Sequence, residues 1–248
     1  DQLRNVQQIQ ATYGAFAAIL ADGSVISWGQ PQWGGDCSAV QDQLRNVKEI
    51  QASEIGSFAA ILADKSVVAW GNDQGGGDCS AVQDQLRNVQ QIQATATGAF
   101  AAILADGSVV AWGNPDFGGD CAEVQDRLKN VRQIQATGWA FAAILADGSV
   151  VAWGNGMNGG CCSKVQDQLR NVQQIQATDG AFAAILADGS VVAWGDPFYG
   201  GDCSADQEQL RNVQQIQATR EAFAAILADG SVVAWGDPLY GEIGRASC

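Results

Sequence analysis

The chain has 248 residues, 47% of them apolar, with a formal net charge of −14 and no histidine. That apolar share is ample for a packed core, while the negative charge repels nucleic-acid phosphates and anionic membrane surfaces. Lacking histidine, the chain has neither the commonest general base nor a Ser-His or Cys-His pair nor the usual zinc ligands, which argues against an ordinary hydrolase.

The sequence starts in mid-pattern. Asp1-Gln2-Leu3-Arg4-Asn5-Val6 returns at residues 42–47, 84–89 and 167–172, and the sole methionine is Met157. It reads as a piece of a longer array. The stretch at residues 15–29 returns five more times, so that Trp28, Trp70, Trp112, Trp153, Trp194 and Trp235 are spaced by 42, 42, 41, 41 and 41 residues. One such unit cannot bury its own apolar face and shares a core with its neighbours. The repeats run over 1–41, 42–83, 84–125, 126–166, 167–207 and 208–241, a single repeat domain.

Ahead of each unit, Val40, Leu44, Val47 and Ile50 sit at helical spacings, and Ser38-x-x-Gln41 resembles a capping box. A short helix over residues 39–44 is expected, then extended chain from about Val47. A continuous helix through Gln51 is the competing reading. The segment 15–21 is apolar at every position, as in a strand covered on both faces, and its alanines let neighbouring sheets approach closely. Asp22-Gly23 predicts a hairpin with a two-residue loop and a glycine at positive φ. The same pair returns in four later units, but the second has Asp64-Lys65, and a lysine held there costs about 1 kcal/mol. The returning strand, 66–70, is rich in β-formers.

After each Trp-Gly comes a loop on turn chemistry, at 30–35, 72–77, 114–119, 155–160, 196–201 and 237–241. Here the copies differ most. Residues 242–248 leave the pattern, look like a translated sequencing-library adapter, and are set aside as a non-native tail of an environmental or transcript assembly.

The order Val-x-x-Ile-x-Ala, aliphatic strand, Asp-Gly-x-Val-x-x-Trp-Gly, Gly-Gly loop resembles the repeat of RCC1-type β-propellers, especially short tandem arrays labelled HERC-like, over essentially the whole chain to Gly241. The resemblance implies a mainly β fold of six repeats, each with an Asp-Gly hairpin and a short helix. These repeats are shorter than the family's. Ala94-Thr95 and Phe100 stand where the family has Cys-Gly and His, Gly-Gly-Asp-Cys replaces Gly-Gln-Leu-Gly, and the proline before the next strand is missing. A short helix is therefore expected in place of a fourth strand. A closed six-bladed ring, with residues 1–12 supplying the strand that the sixth unit lacks, and an open curved array both fit.

Cys37, Cys79, Cys121, Cys162 and Cys203 each lie eight residues after the Trp-Gly glycine and read as small, semi-buried thiols of a reducing, cytoplasmic compartment. Cys161-Cys162 leaves a vicinal disulfide open. Asp36, Asp78, Asp120 and Asp202 precede four of these cysteines, either as local turn caps or as a row that collects Ca²⁺ or basic partners. Trp33, Phe117, Phe198, Tyr199 and Tyr240 in the loops, and Trp139 in another loop, are candidate anchors for a protein or glycan, or lids on the sheet rim. The framework tryptophans read as blade packing, and Arg4, Arg45, Arg87, Arg170 and Arg211 as exposed ion pairs with the Asp or Glu three residues earlier. No catalytic residue, metal site or cofactor is expected. The functional expectation is a non-enzymatic scaffold for a protein partner, a monomer or part of a longer array. The alternatives are a Ca²⁺- or glycan-binding surface and, from the resemblance, guanine-nucleotide exchange on a small GTPase.

Overall fold

A computed structural model describes residues 3–241; the tail set aside above lies outside the described residues. Six antiparallel three-stranded sheets follow one another along the described chain, one per repeat. Blade 1 holds β1 (Val6–Ala11), β2 (Ala15–Leu20) and β3 (Val25–Gly29), and blade 2 holds β4 (Val47–Ser53), β5 (Ser57–Leu62) and β6 (Val67–Gly71). Blade 3 holds β7 (Val89–Ala94), β8 (Ala99–Leu104) and β9 (Val109–Gly113), and blade 4 holds β10 (Val131–Ala136), β11 (Ala140–Leu145) and β12 (Val150–Gly154). Blade 5 holds β13 (Val172–Ala177), β14 (Ala181–Leu186) and β15 (Val191–Gly195), and blade 6 holds β16 (Val213–Ala218), β17 (Ala222–Leu227) and β18 (Val232–Gly236). The blades group into two compact units that divide after Gln125, three blades in each.

The all-apolar segment is the central strand of every sheet, which explains why it does not alternate. In the first unit, Phe58 and Ala60 of β5 face blade 1, while Ala59 and Ile61 face blade 3. Phe58 pairs across the sheet with Trp70, and the rings stack 5.1 Å apart. Such a pair contributes about 0.5–1.5 kcal/mol beyond its burial. Opposite it blade 1 offers Ala15 and Ala17, small enough to admit two aromatic rings. The second unit repeats the arrangement, with Phe182 and Trp194 against Ala140 and Ala142.

Three expectations need correction. The Asp-Gly turn has three residues, not two. The last strand pair is Ile19 with Val25, the Leu20 N–H donates to the Ser24 carbonyl at 2.9 Å, and the Gly23 N–H donates to the Leu20 carbonyl. Residues 21–23 close the loop with Gly23 at φ +79°, the three-residue alternative to a paired turn. Asp22 holds it by accepting from both the N–H and the hydroxyl of Ser24.

The capping box does not form. Ser38–Val40 is a single 3₁₀ turn preceded by Cys37, and further turns carry the chain to Leu44 before β4 begins. The Ser38 N–H donates to Asp36, and Gln41 turns elsewhere. Its amide donates to the Val25 carbonyl at 3.1 Å, and its side-chain oxygen accepts from the Cys37 thiol. Gln83, Gln125, Gln166 and Gln207 do the same for Val67, Val109, Val150 and Val191. A turn segment with one glutamine thus takes the place of a fourth strand, and the continuous helix through Gln51 is ruled out by β4.

Finally, β1 pairs with β2 and the sixth sheet has three strands of its own, so residues 1–12 do not complete blade 6. An asparagine just before the first strand of each blade, such as Asn46 at φ +56°, reverses the chain there. Its carbonyl accepts from Ala63 while the Val47 N–H donates to Gly23 of the preceding blade.

Candidate binding surface on the variable loops

Strand order decides which segments share an end of each sheet. The turn between the first two strands and the loop after Trp-Gly emerge together, joined by the bond from Gln30 N–H to the Gly14 carbonyl. The Asp-Gly turns lie at the other end. Each loop after Trp-Gly makes one short helical turn, and all but the first carry a side-chain cap. The side chains of Asn72, Asn114, Asn155 and Asp196 accept from the backbone N–H two residues on. The turn over Pro31–Trp33 ends at Gly34, left-handed at φ +87°. A Cβ there would lie 2.7 Å from the Phe58 ring. The Gly34 carbonyl accepts the indole N–H of Trp70 at 3.1 Å, and Gly76, Gly159 and Gly200 accept from Trp112, Trp194 and Trp235. The next blade's framework tryptophan therefore pins each of these variable loops.

The four aspartates are separate. Asp36, Asp78, Asp120 and Asp202 are exposed, and each accepts from the backbone N–H two residues later in its own blade. Those bonds hold the carboxyls of Asp36, Asp78 and Asp202 below their usual range. Among the described residues no three metal-ligating side chains converge.

The aromatics divide into two kinds. Trp33 is half-buried and packs beside Tyr13 at 5.4 Å, and Trp139 meets the edge of Tyr199 at 6.2 Å. These join the turn of a blade to a loop, within one blade or between neighbours. Phe117 is half-buried, whereas Phe198 and Tyr240 stand out at 78% and 56% exposed. Met157, 77% exposed, stands with Phe198 along a cleft of about 710 Å³ between blades 4 and 5, also lined by Cys161, Lys164, Trp194 and Asp202.

No family model matches the chain, and no curated protein matches it. Solved structures do. Prp20p from Saccharomyces cerevisiae, also described as yeast RCC1, aligns with a TM-score of 0.56 at 16% identity over 93% of this chain and 72% of its own. Human WBSCR16 aligns at 0.55 and 17% identity, covering 95% of this chain and 77% of its own. The ectodomain of the Arabidopsis thaliana receptor kinase ACR4 aligns at 0.52 and 17% identity, covering 92% of this chain and 80% of its own. The six sheets have the fold of RCC1-like propeller blades.

In these RCC1-like blades a second variable segment went unread in the sequence. The turns at 12–14, 53–56, 95–98, 137–139, 178–180 and 219–221 differ from copy to copy, and only Trp139 drew attention. The signal was present, because the 42-residue spacings arise from one extra residue in the second and third of these turns. Main-chain bonds link neighbouring turns: Tyr13 to Glu54 and Ile55 to Ala96 in the first unit, Gly138 to Asp179 and Asp179 to Arg220 in the second. Arg220 and Asp179 also form an ion pair at 3.6 Å. Within each unit the candidate surface is therefore composite, with two unlike loops at the same end of each blade.

The six described cysteines are free thiols, Cys161 and Cys162 included. Burial pushes the Cys79, Cys121, Cys162 and Cys203 thiols up. Cys161, in the place aspartate holds elsewhere, is exposed, and its bonds from Ser163, with Lys164 nearby, draw its pKa down.

Proposed function

We propose that the chain is a non-catalytic interaction scaffold that holds a protein partner on the composite loop end. The observation carrying this reading is the contrast between the framework, nearly identical from copy to copy, and large apolar side chains exposed on capped loops, those of Met157 and Phe198 also pinned by the next blade's tryptophan. Phe198 and Met157 flank a cleft, and Leu239 and Tyr240 stand exposed on the turn after the last Trp-Gly. Ordering such loops on binding costs little entropy, which favours anchors of this kind. The net charge of −14 favours a basic partner. Prp20p is described by its binding to Gsp1p and histones, which supports protein as the partner class.

The test compares three baits in quantitative affinity capture: the wild type, a loop variant carrying Met157→Ser, Phe198→Ser and Tyr240→Ser, and a variant altered at the Asp-Gly end by Lys65→Ser. Partners kept by the wild type and the Lys65→Ser bait but lost from the loop variant support the reading. Equal capture by all three refutes it. The alternatives have direct assays: calorimetric titration with Ca²⁺ or glycans, and acceleration of nucleotide release from small GTPases.

A further inference from the structure

Met157 and Phe198 hold the same place in their loops, four residues after the framework tryptophan. At that place the first unit has Gln32, Gln74 and Asp116, and the second has Met157, Phe198 and Leu239. The position faces solvent whatever it holds, since Gln32, Gln74, Asp116, Met157 and Phe198 are all exposed. An apolar side chain there gains no burial in the fold. Met157 and Phe198 instead flank the cleft of about 710 Å³ between blades 4 and 5, within the range of about 300–1,000 Å³ typical of ligand sites. The same loops differ in charge. Their caps are Gln30, Asn72 and Asn114 in the first unit, and Asn155, Asp196 and Asp237 in the second. The turn does not need that charge, because the Asn72 and Asp196 side chains accept the same bond at 3.0 Å. Among the described residues lining the cleft, Asp196 and Asp202 are carboxylates and Lys164 is the one cation. Carboxylates also gather beside Phe198: after burial, the charges of Glu221, Asp179 and Asp196 hold the Tyr199 hydroxyl above its ordinary pKa. Arg220 offsets part of that charge through its ion pair with Asp179.

We propose that this cleft of the second unit seats a short extended segment of a partner protein in which a bulky apolar side chain adjoins a lysine or arginine. The proposal rests on the scaffold reading and gives its partner a chemistry. The apolar side chain sits between Met157 and Phe198, and the cation answers Asp196 and Asp202. Charge complementarity selects this occupant. An acidic segment would add like charge to those carboxylates, and a wholly polar one would leave the exposed Met157 and Phe198 uncovered.

A randomised peptide library displayed on phage, selected on the whole 248-residue chain, supplies the probe. Selected peptides are expected to place a bulky apolar residue next to lysine or arginine. Measured by fluorescence anisotropy, Met157→Gln combined with Phe198→Gln should weaken their binding about tenfold or more, as for central anchors. Asp196→Asn should weaken it about two- to fivefold and reduce its salt dependence, as for an exposed charge. Glutamine and asparagine already stand at these turn positions in other copies, at Gln32, Gln74, Asn72 and Asn114, so the variants keep the turn chemistry. Should either variant fail to fold by far-UV circular dichroism, hydrogen exchange of the wild type decides: the peptide must protect residues 156–165 and 194–202, and protection elsewhere overturns the proposal. No selected peptide, peptides without a basic residue, or binding unchanged in either variant also overturns it. Affinity capture with the double glutamine variant as bait separates the two readings. Loss of protein partners without any such peptide removes this proposal and leaves the scaffold reading standing, whereas capture equal to the wild type removes both.

Discussion

Lys65 offers the sharpest test of how this framework is held. It is the one non-glycine residue at the third turn position among the six copies, and its φ is +68°. The turn cannot relax, because the Lys65 N–H donates to Leu62 and its carbonyl accepts from Val89 of the next blade, both at 3.0 Å. A left-handed residue with a Cβ costs about 1–2 kcal/mol. Replacing it by glycine removes that cost but frees the unfolded chain, which takes back about 0.4–1 kcal/mol. Lys65→Gly should therefore stabilise the protein by about 0.5–1 kcal/mol. For a chain of this size each kcal/mol moves the midpoint by about 2–4 °C, so thermal unfolding followed by tryptophan fluorescence should shift up by about 1–4 °C. Lys65→Ala is the control: it keeps the Cβ, and its midpoint should stay within a degree or so of the wild type. If Lys65→Ala stabilises as much as Lys65→Gly, the lysine's charge and not its backbone is responsible, and the reasoning fails.

Other outcomes follow from the same geometry. Gly34→Ala puts a Cβ 2.7 Å from the Phe58 ring at φ +87° and should cost about 2–4 kcal/mol by urea unfolding, combining strain with overpacking. Ser27 carries a buried hydroxyl without a partner among the described residues, where the other blades have alanine, so Ser27→Ala should gain about 1 kcal/mol in the same assay. The carboxyls of Asp22, Asp64, Asp106, Asp147, Asp188 and Asp229 lie below their ordinary value of 3.8 because the side chain and backbone of the serine two residues on bond to them. A group lowered on folding stabilises the fold above its unfolded pKa and loses that as pH falls through the folded one. Stability should thus drop below about pH 4, and less so when Ser66 and Ser108 are changed to alanine. In peptide mapping with iodoacetamide, Cys161 should label first among the six described cysteines, since it is exposed with a lowered pKa while the others are buried. Equal labelling of Cys161 and Cys162 would contradict that.

The chain by itself determined what depends on local chemistry and on period. The unbroken apolar run of the 15–21 type announced a strand buried on both faces, and the structure makes it the central strand of every sheet. The positive φ of the turn glycine was legible too, because Asp-Gly is a local signal, and the departures from the RCC1-type repeat pointed to a short helical segment in place of a fourth strand. Tertiary structure alone decided where side chains with several possible partners went. Gln41 had a capping role within reach in sequence, but the edge of β3 left the Val25 carbonyl unpaired, and satisfying a buried backbone group outweighed a cap. The turn length was misread by one residue because Asp-Gly serves both loop types, and only the pairing of Ile19 with Val25 selects between them. The framework tryptophans looked like blade packing alone, yet each indole that bonds a preceding glycine carbonyl also fixes a variable loop, a contact spanning some 36 residues that no local pattern contains. For the same reason the second set of variable turns became part of the surface only when the strand order brought it beside the first.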